Sequence, residues 1–140
     1  MEHTLVLIKP DVVKMNSIGV ILSEYEKAGL KIEALKMLKM TKELAAKHYA
    51  EHIGKPYYAK LVDFMISGPL VALVLSGENA INEVRKINGA TNPVNAEPNT
   101  IRAKFATDST LNAVHASDCI ENARREINLF FLADELMYNF

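Results

Sequence analysis

The sequence has a single cysteine, Cys119, no excess of either charge and no long apolar run. One thiol excludes an intramolecular disulfide framework and suits a reducing compartment. Lys and Arg number 16 against 17 Asp and Glu, a formal net charge of -1. That balance gives no bulk electrostatic case for binding nucleic acid or a membrane surface. The longest apolar run, Leu70 to Leu75, is far too short to span a bilayer. Met1-Glu2-His3-Thr4 leads straight into a predicted strand without a basic leader, so no signal peptide is expected. No internal repeat, linker or low-complexity segment breaks the chain. Its 140 residues are 49% hydrophobic and 24% charged, enough for one globular domain, residues 1–140, with its own core. A cytoplasmic protein is the simplest expectation.

One short stretch organises the rest: Asn112-Ala113-Val114-His115-Ala116-Ser117-Asp118. A brief apolar run reaches a histidine, and Ser-Asp then opens a predicted helix, with Asp118 as N-cap and Glu121 closing a capping box. Ile120, Ala123, Ile127 and Phe130 give that helix one apolar stripe. His115 therefore sits at a strand-to-helix corner, where unpaired helix N–H groups favour anions. The same pattern also fits a histidine satisfied within the core.

Upstream, Thr4 to Ile8 reads as a strand buried on both faces and ends at Lys9-Pro10-Asp11. Lys9 is placed either to reach a cleft or to snorkel from a strand end. Ile18, Ile21, Leu22, Tyr25 and Ala28 follow helical spacing up to Gly29. Leu30 to Met40 alternates and then slips phase near Leu35, which predicts a half-exposed, bulged strand. Thr41 caps a helix bearing Leu44, Ala45 and Tyr49, and a second helix carries Tyr57, Leu61, Phe64 and Met65. Leu70 to Leu75 is another buried strand, and a helix with Ile81, Val84, Arg85 and Ile87 follows Gly77. Residues 88–111 show no periodicity and form a long irregular loop, of a kind that is usually functional. The order implies two βαβ halves with the Leu5 and Val71 strands central. That is an α+β, ferredoxin-like sandwich: a four-stranded antiparallel sheet covered by helices.

Polar groups gather at element ends and in the long loop. Lys9, Arg85 and Arg102 supply fixed cations beside a neutral imidazole, a set suited to a phosphate chain and to nucleophilic attack on phosphorus. Histidine suits that attack because its ordinary pKa leaves a nitrogen lone pair near neutral pH. Glu126, two helical turns beyond Asp118, is placed to hold the second ring nitrogen and fix the tautomer.

The motifs Ile8-Lys9-Pro10-Asp11, His48-Tyr49, Lys55-Pro56-Tyr57-Tyr58, Ser67-Gly68-Pro69, Gly89-Ala90-Thr91-Asn92-Pro93, Thr100-Ile101-Arg102 and Asn112 to Asp118 occur in this order. From Thr4 to about Phe131 the chain resembles the nucleoside diphosphate kinases, and its last motif is close to the family's N-x-x-H-G-S-D signature. The resemblance implies ping-pong transfer of a γ-phosphate between nucleotides, with His115 as the phosphorylated residue. It implies that Glu126 holds the other ring nitrogen and that Ser117 supports that contact. Lys9 and Asn112 would bond ribose hydroxyls and the leaving or attacking oxygens. Tyr49, His52, Arg85, Thr91 and Arg102 would contact phosphates, and Tyr57 would stack on the base, which tolerates any base. The implied partners are nucleoside di- and triphosphates with Mg²⁺ on their phosphates, Asp118 touching the ion through water. Tetrameric or hexameric homo-oligomers are implied as well.

Three positions depart from the family pattern. Ala116 replaces the signature Gly: a positive φ there would strain it, and with a negative φ the methyl matters only if it crowds the phosphate. Ser109 stands where an aliphatic residue usually clamps the base, which predicts weaker nucleotide binding. Asn99 takes the place of a loop Gly, a tolerable swap because Asn visits the left-handed region. Ala116 and Ser109 keep open a second reading, a catalytically weak nucleotide-binding or regulatory protein on the same fold. His3 and His48 are assigned no role beyond surface or packing, and Cys119 reads as a small buried residue.

Overall fold

A computed structural model describes residues 1–138. Four strands, β1 (Glu2–Ile8), β2 (Lys31–Lys39), β3 (Pro69–Gly77) and β4 (Val114–Ala116), form one sheet in the order β2-β3-β1-β4. All three pairings are antiparallel. The two most apolar strands, β1 and β3, occupy the centre, as continuous apolar runs require of strands buried on both faces. The expected phase slip in β2 is present as a bulge between Ile32 and Ala34, two residues before the predicted place. It lets Ala34 and Glu33 both turn inward on an otherwise half-exposed edge strand.

Side chains alternate along β1 and divide the core in two. Val6 and Ile8 pack with Ile21 and Tyr25 of α2 (Ile18–Lys27) and with Ala80 and Val84 of α5 (Ala80–Asn88). Leu5 and Leu7 face Ala45 of α3 (Lys42–His48), Val62 and Met65 of α4 (Tyr58–Met65), and Ile127 and Phe130 of α7 (Ile120–Phe130). Helices thus cover both faces of the sheet. Thr41 caps α3 by accepting from the Leu44 N–H, as its sequence position predicts.

Two short helices were not legible as periodic patterns. Pro10–Lys14 forms α1, with Pro at its first position, where a missing N–H costs nothing. Within the 88–111 segment, irregular for most of its length, Ile101–Phe105 forms α6, capped by the Thr100 side chain. Five residues give too few repeats for a period to show.

The start of α7 lies one residue later than expected. Cys119, not Asp118, is the N-cap, and its Sγ accepts from the Asn122 N–H. Asp118 instead accepts from the Asn122 side-chain amide at 2.7 Å. The apolar stripe is correspondingly shorter, because Ile120 is exposed while Ala123, Ile127 and Phe130 are buried. Glu126 is buried on the same side of the helix.

Candidate active site

β4 is only three residues long, yet it fixes the orientation of His115. Val114 and Ala116 face the α2/α5 side of the sheet. His115 pairs with Leu7 and so shares the opposite side with α3 and α7. There its Nε2 lies 3.1 Å from both oxygens of Glu126. The Ser117 hydroxyl donates to Glu126 Oε1 at 2.6 Å. Burial pushes the Glu126 pKa up, but hydrogen bonds from His115 and Ser117 and the His115 and Arg125 charges outweigh it. The carboxyl is held below its ordinary range and is ionised at neutral pH. An ionised Glu126 requires a proton on Nε2 and leaves the lone pair of a neutral ring on Nδ1.

Lys9 continues the alternation of Leu5 and Leu7 and reaches the same side. Its backbone N–H donates to Ala113 O at 2.8 Å, and its Nζ donates to Asn112 Oδ1 at 2.7 Å. Only 6% exposed, it has a pKa lowered to about 8 by burial and by the neighbouring Arg102. Arg102, from α6, spends three N–H groups on backbone carbonyls: Nε on Asn112, Nη1 on Gly89 and Nη2 on Val114. It thereby ties the long loop to β4, and two of its five donors remain for a ligand. Burial lowers its pKa to about 10, and the Arg85 charge adds to that shift. Each cation therefore destabilises its neighbour, which is the electrostatics of a site built for a polyanion.

Gly89 makes the Arg102 contact possible. It ends α5 with φ 86°, and a Cβ there would lie 2.5 Å from Thr100 Oγ1. Neither the backbone conformation nor the close approach admits a side chain.

Of the two cases open for Ala116, the structure takes the unstrained one. Ala116 has no positive φ, so the methyl on the signature position is tolerated by the backbone. Asn99 does take the left-handed region, φ 72°, as its residue type allows. The unforeseen outlier is Ala113, φ 74°, directly before β4. It is held by a tight turn in which Val114 N–H donates to Asn112 O, and by Asp11, which accepts from the Ala113 N–H. This turn lets Asn112 stay on Lys9 while Val114 enters the sheet.

All twelve sequence-predicted site residues except Ser117 line one cleft of about 530 Å³. Ser117 is fully buried behind it, under Glu126. Asn112 bridges the walls, its amide donating to the carbonyls of Thr91 and Ser109. Tyr57 is exposed at the rim, and its hydroxyl meets His52 Nδ1 at 2.5 Å. Asp118 lines the mouth, its pKa lowered first by the Asn122 amide. Tyr49 is buried beside Glu126, and burial raises the pKa of its phenol.

Of its two expected roles, surface or packing, His48 takes the packing one, and it does so beside His115. Its side chain is buried, its ring stands edge-on to His115 with centroids 4.7 Å apart, and it lines the cleft. Burial, then the His115 and Arg125 charges, lowers its pKa to about 2. The adjacent Tyr49, at the end of the same helix, was the available signal. Cys119 is half-buried as a cap rather than buried in the core.

Comparison with known proteins agrees with this architecture. The chain is 55% identical to a nucleoside diphosphate kinase of Clostridium perfringens over 131 residues, covering 94% of this chain and 92% of that protein. It superposes on the Aquifex aeolicus nucleoside diphosphate kinase with a TM-score of 0.93 and 45% identity, over 96% of this chain and 98% of the other. A Halobacterium salinarum nucleoside diphosphate kinase, solved with CDP, gives a TM-score of 0.94 and 42% identity, over 99% and 92% of the two chains. The sequence profile described as nucleoside diphosphate kinase matches residues 2–136, and the chain belongs to that family of phosphotransferases.

Proposed function

We propose that this chain transfers the γ-phosphate of a nucleoside triphosphate to a nucleoside diphosphate by a ping-pong route through phosphorylated His115. The observation that carries this reading is the bond from His115 Nε2 to Glu126, which leaves the Nδ1 lone pair available in a cationic cleft. In the first half-reaction Nδ1 attacks the γ-phosphorus. An N–P bond forms, the bond from phosphorus to the β,γ-bridging oxygen breaks, and the diphosphate leaves with that electron pair. In the second, a terminal β-phosphate oxygen of the acceptor attacks the same phosphorus and the N–P bond breaks. Glu126 stabilises the positive charge that grows on the ring, and Ser117 keeps the carboxylate in place.

Lys9, Arg85 and Arg102 hold the phosphate chain, with Tyr49, His52 and Thr91 beside it. Asn112 and Lys9 take the ribose hydroxyls and bridging oxygen, and Tyr57 stacks on the base. Mg²⁺ fits as a companion of the phosphates, whose charge it would neutralise. Asp118 is ionised at the mouth of the cleft, suited to contact through water rather than to a protein cage. A cytoplasmic homo-oligomer acting as one domain over residues 1–140 completes the reading. The exposed Leu35 and Met37 on the edge strand β2 support an assembly. No helix among the described residues is long and apolar enough to cross a membrane.

The test is to mix the protein with Mg-ATP alone and map any acid-labile phosphate by mass spectrometry. One phosphate on His115, discharged by dGDP, is expected, and His115→Ala must lose it while keeping its circular dichroism spectrum. ATP binding without a phosphoenzyme would overturn the mechanism in favour of a regulatory nucleotide-binding protein.

A further inference from the structure

His48 has no hydrogen-bond partner on either ring nitrogen among the described residues, although its side chain is only 1% exposed. Two unpaired polar atoms in such a place are costly and point to something that the site can hold. The ring is neutral, so one nitrogen offers a lone pair without first losing a proton. Its Nδ1 lies 3.9 Å from Glu126 Oε2, and both oxygens of that carboxylate are 3.1 Å from His115 Nε2. One donor atom each from His48, His115 and Glu126 falls within 4.8 Å of the other two.

We propose that His48, His115 and Glu126 form a site for a zinc-like divalent transition ion, distinct from the ion that accompanies the phosphates, and that filling it silences phosphoryl transfer. Two imidazoles and one carboxylate are the donor set that such ions favour. Bonds of about 2.0–2.2 Å can bridge donors up to about 4 Å apart, so the two shorter separations need no backbone movement. Mg²⁺ demands six oxygens and does not suit two imidazoles. Arg125, 3.8 Å from Glu126 Oε2, opposes any added cation, but its side chain is 42% exposed and donates to the Lys47 carbonyl at 3.2 Å, so solvent screens its charge. Only an ion with strong bonds to imidazole overcomes that repulsion.

The silencing rests on the reading of His115 as nucleophile. A metal on Nε2 takes the position that Glu126 otherwise holds. The neutral ring then carries its proton on Nδ1, and that nitrogen has no lone pair for phosphorus. Metal and phosphate thus select opposite tautomers of one ring.

The experiment is a titration of the intact protein with Co²⁺, a visible reporter for Zn²⁺, alongside Zn²⁺ inhibition of nucleotide transfer. We expect one Co²⁺ per chain with intense four-coordinate visible bands, and binding at least about tenfold weaker in His48→Gln. Zn²⁺ should inhibit transfer, a chelator should restore it, and inhibition of His48→Gln should need at least about tenfold more Zn²⁺, relative to that variant's own metal-free rate. Unchanged affinity in His48→Gln, or six-coordinate spectra alone, overturns the site. Should that variant fail to fold, ring-nitrogen NMR of the unaltered protein decides: Zn²⁺ must shift His48 and His115 together, and shifts confined to other histidines overturn it. Loss of the metal site leaves a phosphohistidine intact, and failure to find a phosphohistidine leaves the cobalt spectrum to stand alone.

Discussion

The Lys9 ammonium donates to the Asn112 side-chain oxygen at 2.7 Å, across 103 positions of sequence. This contact closes the cleft floor between the end of β1 and the turn before β4. It also places a lysine where burial and Arg102 lower its pKa to about 8. Lys9 is charged at pH 7 and loses its charge as pH rises through that value. We expect kcat/KM to fall about tenfold per unit above pH 8, the limit for one required proton. Bound phosphate favours the charged form, so the fall in kcat should begin at higher pH. Pre-steady-state phosphorylation across pH 6–10 measures both, and Lys9→Gln should lose the first limb. The folded state also binds fewer protons than the unfolded one between about 8 and 10.5, so Lys9 makes stability rise with pH in that window.

Glu126→Gln should cut the rate of His115 phosphorylation by about 100-fold or more while leaving nucleotide affinity nearly unchanged. The Ser117 hydroxyl donates to Oε1, so a glutamine keeps its oxygen toward Ser117 and turns its NH₂ to His115. The ring then accepts at Nε2 and carries its proton on Nδ1, the unreactive arrangement. Single-turnover phosphorylation with Mg-ATP, together with equilibrium ADP binding, separates the two effects. The lowered pKa of Glu126 adds a thermodynamic sign. Its ionised form stabilises the fold above the ordinary carboxylate range and is lost as pH falls through the folded value, so the variant should lose less stability on acidification.

How far the sequence reached can be judged residue by residue. The central strands were legible because burial on both faces leaves an unbroken apolar run, and Thr41 and Gly29 marked helix ends by their own chemistry. The polar cluster was legible as a set of residue types at element ends, and the family motifs joined them. Local signals failed where only tertiary contact decides. Nothing in the sequence says that Arg102 spends three donors on the backbone, because Gly89, Asn112 and Val114 converge only after folding. Nor does it say that Ala113, rather than Ala116, carries the positive φ. That conformation is set by Asp11 and Asn112, on opposite sides of the turn. The place of His48 beside His115 was hidden for the same reason: α3 ends with its ring there only because α3 packs on α7.

Ala116→Gly should change the transfer rate by less than about tenfold, or roughly 1.4 kcal/mol. The residue has no positive φ and its side chain faces the α2/α5 core, so the family glycine offers no release of backbone strain. Removing a mostly buried methyl instead costs about 1 kcal/mol or less in stability. Steady-state kinetics and urea unfolding of the same preparation check both statements. A gain well above tenfold would mean that the methyl crowds the phosphate.

Tyr25→Phe should destabilise the fold by about 1–2 kcal/mol, although the ring stays in place. The Tyr25 hydroxyl donates to Asn88 Oδ1 at 2.6 Å, and both side chains are fully buried. Asn88 Nδ2 already lacks a partner among the described residues, so losing the hydroxyl leaves the buried amide with none. Asn88 is the last residue of α5 and adjoins Gly89, whose carbonyl anchors Arg102. The variant should therefore lower Tm by about 2–4 °C per kcal/mol and also weaken nucleotide binding a few-fold. A double-mutant cycle with Asn88→Ala is expected to give a coupling of about 1 kcal/mol. Additive losses would show that the hydroxyl stabilises the core by packing alone and that the anchor of the Arg102 loop is independent of α2.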